Sequence, residues 1–300
     1  MKKILFIASF LATGVLLAQS TTPAPISIVK DGISSVGRTP IDCADCTVDQ
    51  LSGKVMAVNP GENKVNIEQM GFDNAAVGHQ NGGTGNGSMI YQNGTYNSSR
   101  VTQYGNDNRG FVTQYGEGNS SDSYQAGNGN YSDQNALGTD NSARIAQVGN
   151  GNAATQNQTG MSNAASASQG AVGNISVQNQ NGEYNSAEVV QLGFDNQAQQ
   201  NQVGSLNFAN AYQTGASNVS VQNQETEDDG CNFSTTNQVG DANKSCVDQF
   251  AGAGGINCSL VNQFGEGNSA VVDQNAINAA NNSCVLQVGV MNKAQVIQGK

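Results

Sequence analysis

The stretch that settles the reading of this chain runs from Gln180 to Gln213. It reads Gln180-x-Gly182-x-x-Asn185-x-Ala187-x-x-x-Gln191, then Gln191-x-Gly193-x-x-Asn196-x-Ala198-x-x-x-Gln202, then Gln202-x-Gly204-x-x-Asn207-x-Ala209-x-x-x-Gln213. The last Gln of each copy is the first Gln of the next, so the unit is eleven residues long. Followed both ways, the phase holds from about Asn63 to Gln298. A fixed short period makes a fold quasi-one-dimensional, which overrides the two-domain expectation that 300 residues would otherwise carry.

Each unit divides into a seven-residue segment, Asn-x-Ala/Ser-x-x-x-Gln, and a four-residue link, x-Gly-x-x. Seven residues is strand length, and a Gly-containing link reads as a turn. Glycine there permits positive φ at the corner, which assigns Gly149, Gly160, Gly182, Gly193, Gly204 and Gly215 as turn glycines. Alternate residues of a strand share a face. One face therefore carries Asn141, Ala143, Ile145 and Gln147, and the other carries Ser142, Arg144 and Ala146. A helical reading fails, because an eleven-residue helical repeat would keep apolar residues, not Gly and Asn, at its fixed positions.

The variable inward site, two before each closing Gln, reads Gln134, Ile145, Gln156, Ala167, Gln178, Val189, Gln200, Ala211 and Gln222 in successive units. Gln and aliphatic residues alternate without a miss. Consecutive units thus occupy two environments, and the structural repeat is 22 residues: strand, turn, strand, turn. The expected fold is an all-β flattened solenoid of about ten such rungs, built from 21 units. Like side chains then stack on like, and buried Asn and Gln find partners as amide ladders running along the stack. The ladder residues of the best-phased region are Asn141, Gln147, Asn152, Gln158, Asn163, Gln169, Asn174, Gln180, Asn185, Gln191, Asn196, Gln202, Asn207, Gln213, Asn218 and Gln224. Ala136 replaces one corner Gln, and the links around residues 225–229, 252–255 and 277–280 are longer, with the phase resuming after each.

Composition agrees with a polar, laddered interior. Apolar residues are 37%, charged residues 12% and Trp is absent, too little for an ordinary globular core of this length and too little charge for simple disorder. The net charge of −11 argues against nucleic acid as a partner. Met1-Lys2-Lys3 and the apolar run to Leu17 read as a signal peptide over residues 1–18. No Cys follows the cut, which argues against a lipoprotein anchor. All four prolines lie at or before Pro60, so an export or linker segment at 19–57 precedes the repeat region at 58–300.

Outside the ladders the chemical signals are thin. Cys43 and Cys46 form a lone C-x-x-C without a second pair at zinc spacing, read as a small disulfide or two idle thiols. Cys231, Cys246, Cys258 and Cys284 fall on the outward face by parity. Cys231 and Cys258 are on one sheet in neighbouring rungs but offset along the strand, so pairing them needs the longer links to shift one of them. His79 is the only histidine, outward, and no catalytic constellation can be built around it. Asp73, Asp107, Asp140 and Asp195 read as solvated turn residues, and Tyr91, Tyr104, Tyr115 and Tyr124 as an exposed stripe. No catalytic residue, metal site or cofactor is expected.

Gln-x-Gly-x-x-Asn-x-Ala-x-x-x-Gln resembles the curlin repeat of curli subunits, the amyloid fibres of bacterial biofilms. The resemblance implies a secreted, non-enzymatic subunit that passes an outer-membrane pore with export chaperones and meets a nucleator subunit. It would polymerise with itself at the cell surface as an adhesive fibre, against surfaces or matrix polysaccharide. This chain has about twice the rungs of familiar major subunits, and its Cys-bearing C-terminal third is a departure. The competing expectation is a monomeric solenoid that binds ice or polysaccharide. An ice-binding face needs a regular outward Thr ladder, and the outward positions here are irregular.

Overall fold

The structure is a computed structural model, and it describes residues 61–299 except residue 228. The expectations for residues 1–18 and 19–57, Cys43 and Cys46 included, lie outside the described residues. Within them the chain forms 21 strands arranged as two parallel sheets. The odd sheet holds β1 (Lys64–Phe72), β3 (Gly87–Thr95), β5 (Arg109–Glu117), β7 (Tyr131–Thr139), β9 (Ala153–Met161), β11 (Ile175–Glu183), β13 (Gln197–Ser205), β15 (Val219–Thr226), β17 (Lys244–Ala251), β19 (Ser269–Ala276) and β21 (Lys293–Gly299). The even sheet holds β2 (Ala75–Asn81), β4 (Ser98–Tyr104), β6 (Ser120–Asn128), β8 (Ser142–Asn150), β10 (Ala164–Val172), β12 (Ser186–Phe194), β14 (Asn207–Ala216), β16 (Cys231–Asp241), β18 (Ile256–Glu266) and β20 (Ala280–Val290).

Each strand pairs with the strand two places on, so the chain crosses between sheets at every corner and one coil takes two strands. This is a parallel β-solenoid of about eleven turns. At roughly 4.8 Å per strand spacing, the stack is on the order of 50 Å long. Register is like on like: Gln178 pairs Gln200, Asn179 pairs Asn201 and Gln180 pairs Gln202. The 22-residue step lengthens to 25 where β15 pairs β17, with Val219 opposite Lys244, and the ladder resumes in phase. The longer links therefore bulge at the corners without shifting the columns.

The corner differs from the expected four-residue turn. Glycine stays inside the sheet, with Gly182 opposite Gly204, so the strands run to nine residues and the link shrinks to two. Two left-handed residues make the bend: Gly182 at φ 131° and Tyr184 at φ 55°. A Cβ on Gly182 would overlap the carbonyl oxygen of Gly204, so glycine is required by close stacking as well as by φ. The other assigned glycines, Gly149, Gly160, Gly193, Gly204 and Gly215, share the positive φ and the same crowding against a carbonyl one turn on.

The space between the sheets is filled by thin layers. Ile145, Ala154 and Ala167 form one apolar cluster and Val189, Ala198 and Ala211 another, set between the Gln positions of the odd sheet. At the two ends the alternation gives way to aliphatic residues on both sheets: Ile90, Val101 and Val112 near the first strands, and Val247, Val261, Val272 and Val285 near the last.

Candidate assembly site: amide ladders and open sheet edges

Every one of the sixteen ladder residues is at most 3% exposed, so each amide must find its partners inside. The Gln columns do this with two bonds per NH2 group. Gln169 Nε2 donates to Gln191 Oε1 on the next turn (2.9 Å) and to the carbonyl oxygen of Ala153 on the facing strand (2.9 Å). Gln191 repeats this with Gln213 Oε1 and the carbonyl oxygen of Ile175, both at 2.9 Å. One hydrogen thus ties rung to rung and the other ties sheet to sheet.

The Asn columns run with the opposite polarity. Asn185 Nδ2 donates back to Asn163 Oδ1 (3.0 Å) and its backbone N–H donates to the same oxygen (3.2 Å). The second Nδ2 hydrogen goes to the carbonyl oxygen of Gly204 (2.8 Å). Asn163 treats Asn141 in the same way. The Asn side chain therefore caps the corner that Gly and the left-handed residue create, and couples the turn to the rung before it.

Laddered Asn and Gln, an in-sheet Gly and a 22-residue turn are the features to set beside known repeats. A family model for the curlin associated repeat matches residues 83–116 and 138–170. Those two segments carry the curlin associated repeat. Both matched segments lie within the phase that the strands continue from β1 to β21. No curated protein matches the chain.

The ladders end at sheet edges. Among the described residues, β1 and β2 at one end and β20 and β21 at the other each have a strand neighbour on one side only. At the first end Gln69 donates forward to Gln92 Oε1 and Asn63 Oδ1 receives from Asn86. At the far end Gln298 Oε1 receives from Gln274 and Asn292 donates back to Asn268 Oδ1. Opposite polarities leave each end with one forward and one backward ladder position. The far end offers an amide donor on Gln298 and an acceptor on Asn292, while the first offers an acceptor on Gln69 and a donor on Asn63.

One column is interrupted. Ala136 stands opposite Gln114 and Gln158, and Gln158 Oε1 is consequently buried without a partner. Gln114 Nε2 turns to Ser121 Oγ instead (3.1 Å). Gln134 Oε1, first of the central Gln column, is also buried and unpaired because Val112 precedes it in register. A further ladder went unread in the sequence. Asn135, Asn157, Asn179, Asn201 and Asn223 bond Nδ2 to Oδ1 along the outward side of the odd sheet. Asn preceding the closing Gln in every second unit was the signal for it.

The remaining residues of interest are scattered. The four tyrosines do not form one stripe: Tyr91 lies near Tyr115 on the odd sheet (5.3 Å between ring centres), and Tyr104 near Tyr124 on the even sheet (5.8 Å). Their alternation between units sends them to opposite faces. Asp73, Asp107, Asp140 and Asp195 take left-handed backbone at the corners, a conformation that Asp tolerates better than most residues. His79 is exposed beside Tyr104. Among the described residues no group of three or more His, Cys, Asp or Glu could hold a metal ion. Cys231 and Cys258 are free thiols, since Cys231 sits opposite Ile256 and Cys258 opposite Phe233, still two residues out of step. Burial, with Cys258 nearby as a smaller cause, pushes the Cys231 thiol up to about 11. Cys284 is free and exposed. Cys246 is different: it is disulfide-bonded and, although outward by register, buried.

Proposed function

We propose that this curlin-repeat protein is a secreted structural subunit that polymerises end to end into curli-like amyloid fibres, serving adhesion and biofilm matrix at the bacterial surface. The observation that carries the reading is the complementarity of the two sheet edges. The donor on Gln298 suits the acceptor on Gln69 of a second copy, and the donor on Asn63 suits the acceptor on Asn292. On the odd sheet both ends present an aliphatic residue at the central inward site, Ile67 on β1 and Val296 on β21, so the apolar layer continues across such a junction. Unpaired parallel edges of this kind template the pairing of a further strand. The resemblance adds the expected partners: an outer-membrane secretion pore, export chaperones and a nucleator subunit. Catalysis has no place in this reading.

The test is a pair of substitutions in one strand region. Gln191 is buried in the even-sheet column, whereas Gln197 faces outward on β13. Gln191→Leu strands the amides of Gln169 and Gln213, at a cost of about 1–3 kcal/mol for each buried group left unpaired. Purified Gln191→Leu protein should form fibres many-fold more slowly, by dye binding and electron microscopy, while Gln197→Leu matches wild type. Wild-type protein that stays monomeric under quiescent incubation would favour a solitary binding module and end the fibre reading.

A further inference from the structure

The two ends of the stack are stepped, and both steps lie on the same sheet. Among the described residues the odd sheet has eleven strands and the even sheet ten. At two strands per turn, the 21 strands make ten and a half turns. β1 therefore stands half a turn beyond β2 at one end, and β21 half a turn beyond β20 at the other. Exposure follows the step. Every residue of β1 is exposed, whereas Ala76, Gly78 and Gln80 on β2 are half-buried. Ala294, Val296 and Gln298 on β21 are half-buried, whereas Ser283, Val285 and Gln287 on β20 are buried. Laying β1 of a second copy directly on β21 sets step against step. The even sheet then lacks one strand at the junction, with β2 of the second copy two strand spacings, about 10 Å, from β20. Such a gap leaves the backbone groups of both strands unpaired inside the fibre, a cost that a continuous ladder does not carry.

Turning the second copy by half a turn about the stack closes the gap, because its protruding odd strand then fills the recess over the even sheet. We propose that successive subunits are related by this half turn, with β1 of each laid on β20 of the one before and β2 laid on β21. This geometry rests on end-to-end assembly and specifies its joint. Successive strands of a flattened turn run in opposite directions, and half a turn about the axis exchanges both sheet and direction, so the new neighbours stay parallel. The ladders accept the exchange, because corner Asn and Gln recur in every unit. Gln80 donates forward to Gln103 as Gln69 does to Gln92, and each leaves its own oxygen open to the copy before. Gln287 receives from Gln263 as Gln298 does from Gln274. These groups alone do not choose which strand meets β21; the strand count does. The core accepts the exchange only at the ends. In the middle of the stack the central inward site keeps the sheets apart, with Gln178 and Gln200 on one and Val189 and Ala211 on the other. An odd strand laid on an even one there would set an amide against an aliphatic chain. At the ends this distinction is gone: Ile67 and Ile90 on the odd sheet meet Gly78 and Val101 on the even. Val272 and Val296 likewise match Val261 and Val285. Ile67 of one copy then packs on Val285 of the other, aliphatic on aliphatic.

The half turn also shapes the fibre surface. Outward on the odd sheet Phe111, Asp133, Thr155 and Val177 share one column. The matching column on the even sheet reads Arg100, Asp122, Arg144 and Ser166. Each side of the fibre then alternates between these unlike faces about every 50 Å. The test is a disulfide trap on assembled fibres, with Cys231, Cys258 and Cys284 replaced by Ser. Glu68 on β1, Leu286 on β20 and Ile297 on β21 each precede a corner Gln and are exposed. Paired neighbours in a parallel sheet lie about 4.8 Å apart, within disulfide reach. Glu68 lies at the opposite end of the stack from the other two, so only a junction can join them. Fibres of Glu68→Cys with Leu286→Cys should oxidise into covalent multimers on a denaturing, non-reducing gel, released by reduction. The yield should be at least tenfold that from fibres of Glu68→Cys with Ile297→Cys. Multimers from the second pair instead would overturn the half turn and leave end-to-end growth standing. Fibres that link through neither pair, or wild-type protein that forms no fibres, would overturn both. Electron cryomicroscopy of wild-type fibres reads the same point without any substitution. The outward Asn135 to Asn223 ladder should change sides at every subunit, and a ladder that keeps to one side of the fibre rejects the half turn.

Discussion

Ala171 stands where the repeat asks for glycine, and it holds φ at 76°. An L-residue with a Cβ loses about 1–2 kcal/mol in the left-handed region, while glycine in its place costs about 0.5–1 kcal/mol of extra unfolded-state entropy. Ala171→Gly should therefore stabilise the protein slightly, by up to about 1 kcal/mol, read as a rise in denaturation midpoint. Gly149→Ala should do the reverse and more strongly, since its Cβ would overlap the carbonyl oxygen of Ala171, and backbone cannot step aside. Ala136 is the second exception that can be repaired. Ala136→Gln would place an amide between Gln114 and Gln158, giving the buried Gln158 Oε1 the donor it lacks. The expected gain is about 1–3 kcal/mol, with Ala136→Leu as a control that fills the space without the donor. Which residues face inward was legible from parity alone, as Asn141, Ala143, Ile145 and Gln147 illustrate. Which carbonyl each NH2 group would choose was not, because the opposite polarity of the Asn and Gln columns depends on side-chain rotamers and not on spacing.

At the scale of the strand and its corner, the outward side is tuned locally. Tyr212 on β14 donates its hydroxyl to Glu188 Oε2 on β12 at 2.7 Å. Partial burial first, and the neighbouring carboxylate second, hold the Tyr212 phenol well above its ordinary range. A raised folded-state value means the contribution is fully present below the unfolded tyrosine value of about 10 and is lost as pH climbs past it, because the unfolded chain gives up the proton first. Denaturation midpoints should fall between pH 9 and 11.5, and Tyr212→Phe should fall less steeply over that window; parallel curves would dismiss the pair as a source of alkaline sensitivity. The corner itself was only half legible. The position of glycine was plain in Gln-x-Gly-x-x-Asn, but not its place within the ladder. A seven-residue pattern in side chains cannot reveal that the backbone keeps pairing for two residues after the closing Gln. The need for glycine comes from the carbonyl one turn away, as at Gly160 and Gly182.

For the molecule as a whole, the alternation of Gln134, Ile145, Gln156 and Ala167 was enough to pair alternate units and so to build two sheets, because like-on-like stacking follows from two environments per rung. The unlike outer faces were not legible. A column such as Phe111, Asp133, Thr155, Val177 looks irregular when read along the chain and becomes one surface only after coiling. Coiling also determines which backbone groups point out of the stack. Lys64 N–H donates to the Asn86 carbonyl and Ser269 N–H to the Asn292 carbonyl, so the residue after each ladder Asn points its N–H toward the next turn. In a parallel strand this direction alternates. On β21 the outward-facing Lys293, Gln295 and Ile297 therefore aim their N–H groups at the open edge, and the inward-facing Ala294 and Val296 aim theirs back at β19. Proline is tolerated on an edge strand where its missing N–H faces solvent. Gln295→Pro combined with Ile297→Pro should leave the folded chain β-rich by circular dichroism, yet remove two of the donors a second copy would need. Ala294→Pro is the contrast, since it breaks pairing within the chain and should lower stability instead. If fibres grow by edge-to-edge stacking, every junction uses one such edge, so a solution of the double-proline chain alone should elongate at least tenfold more slowly than wild type. Elongation at the wild-type rate, with the fold intact, would mean that growth proceeds through the open face of the even sheet and not through the ends of the stack.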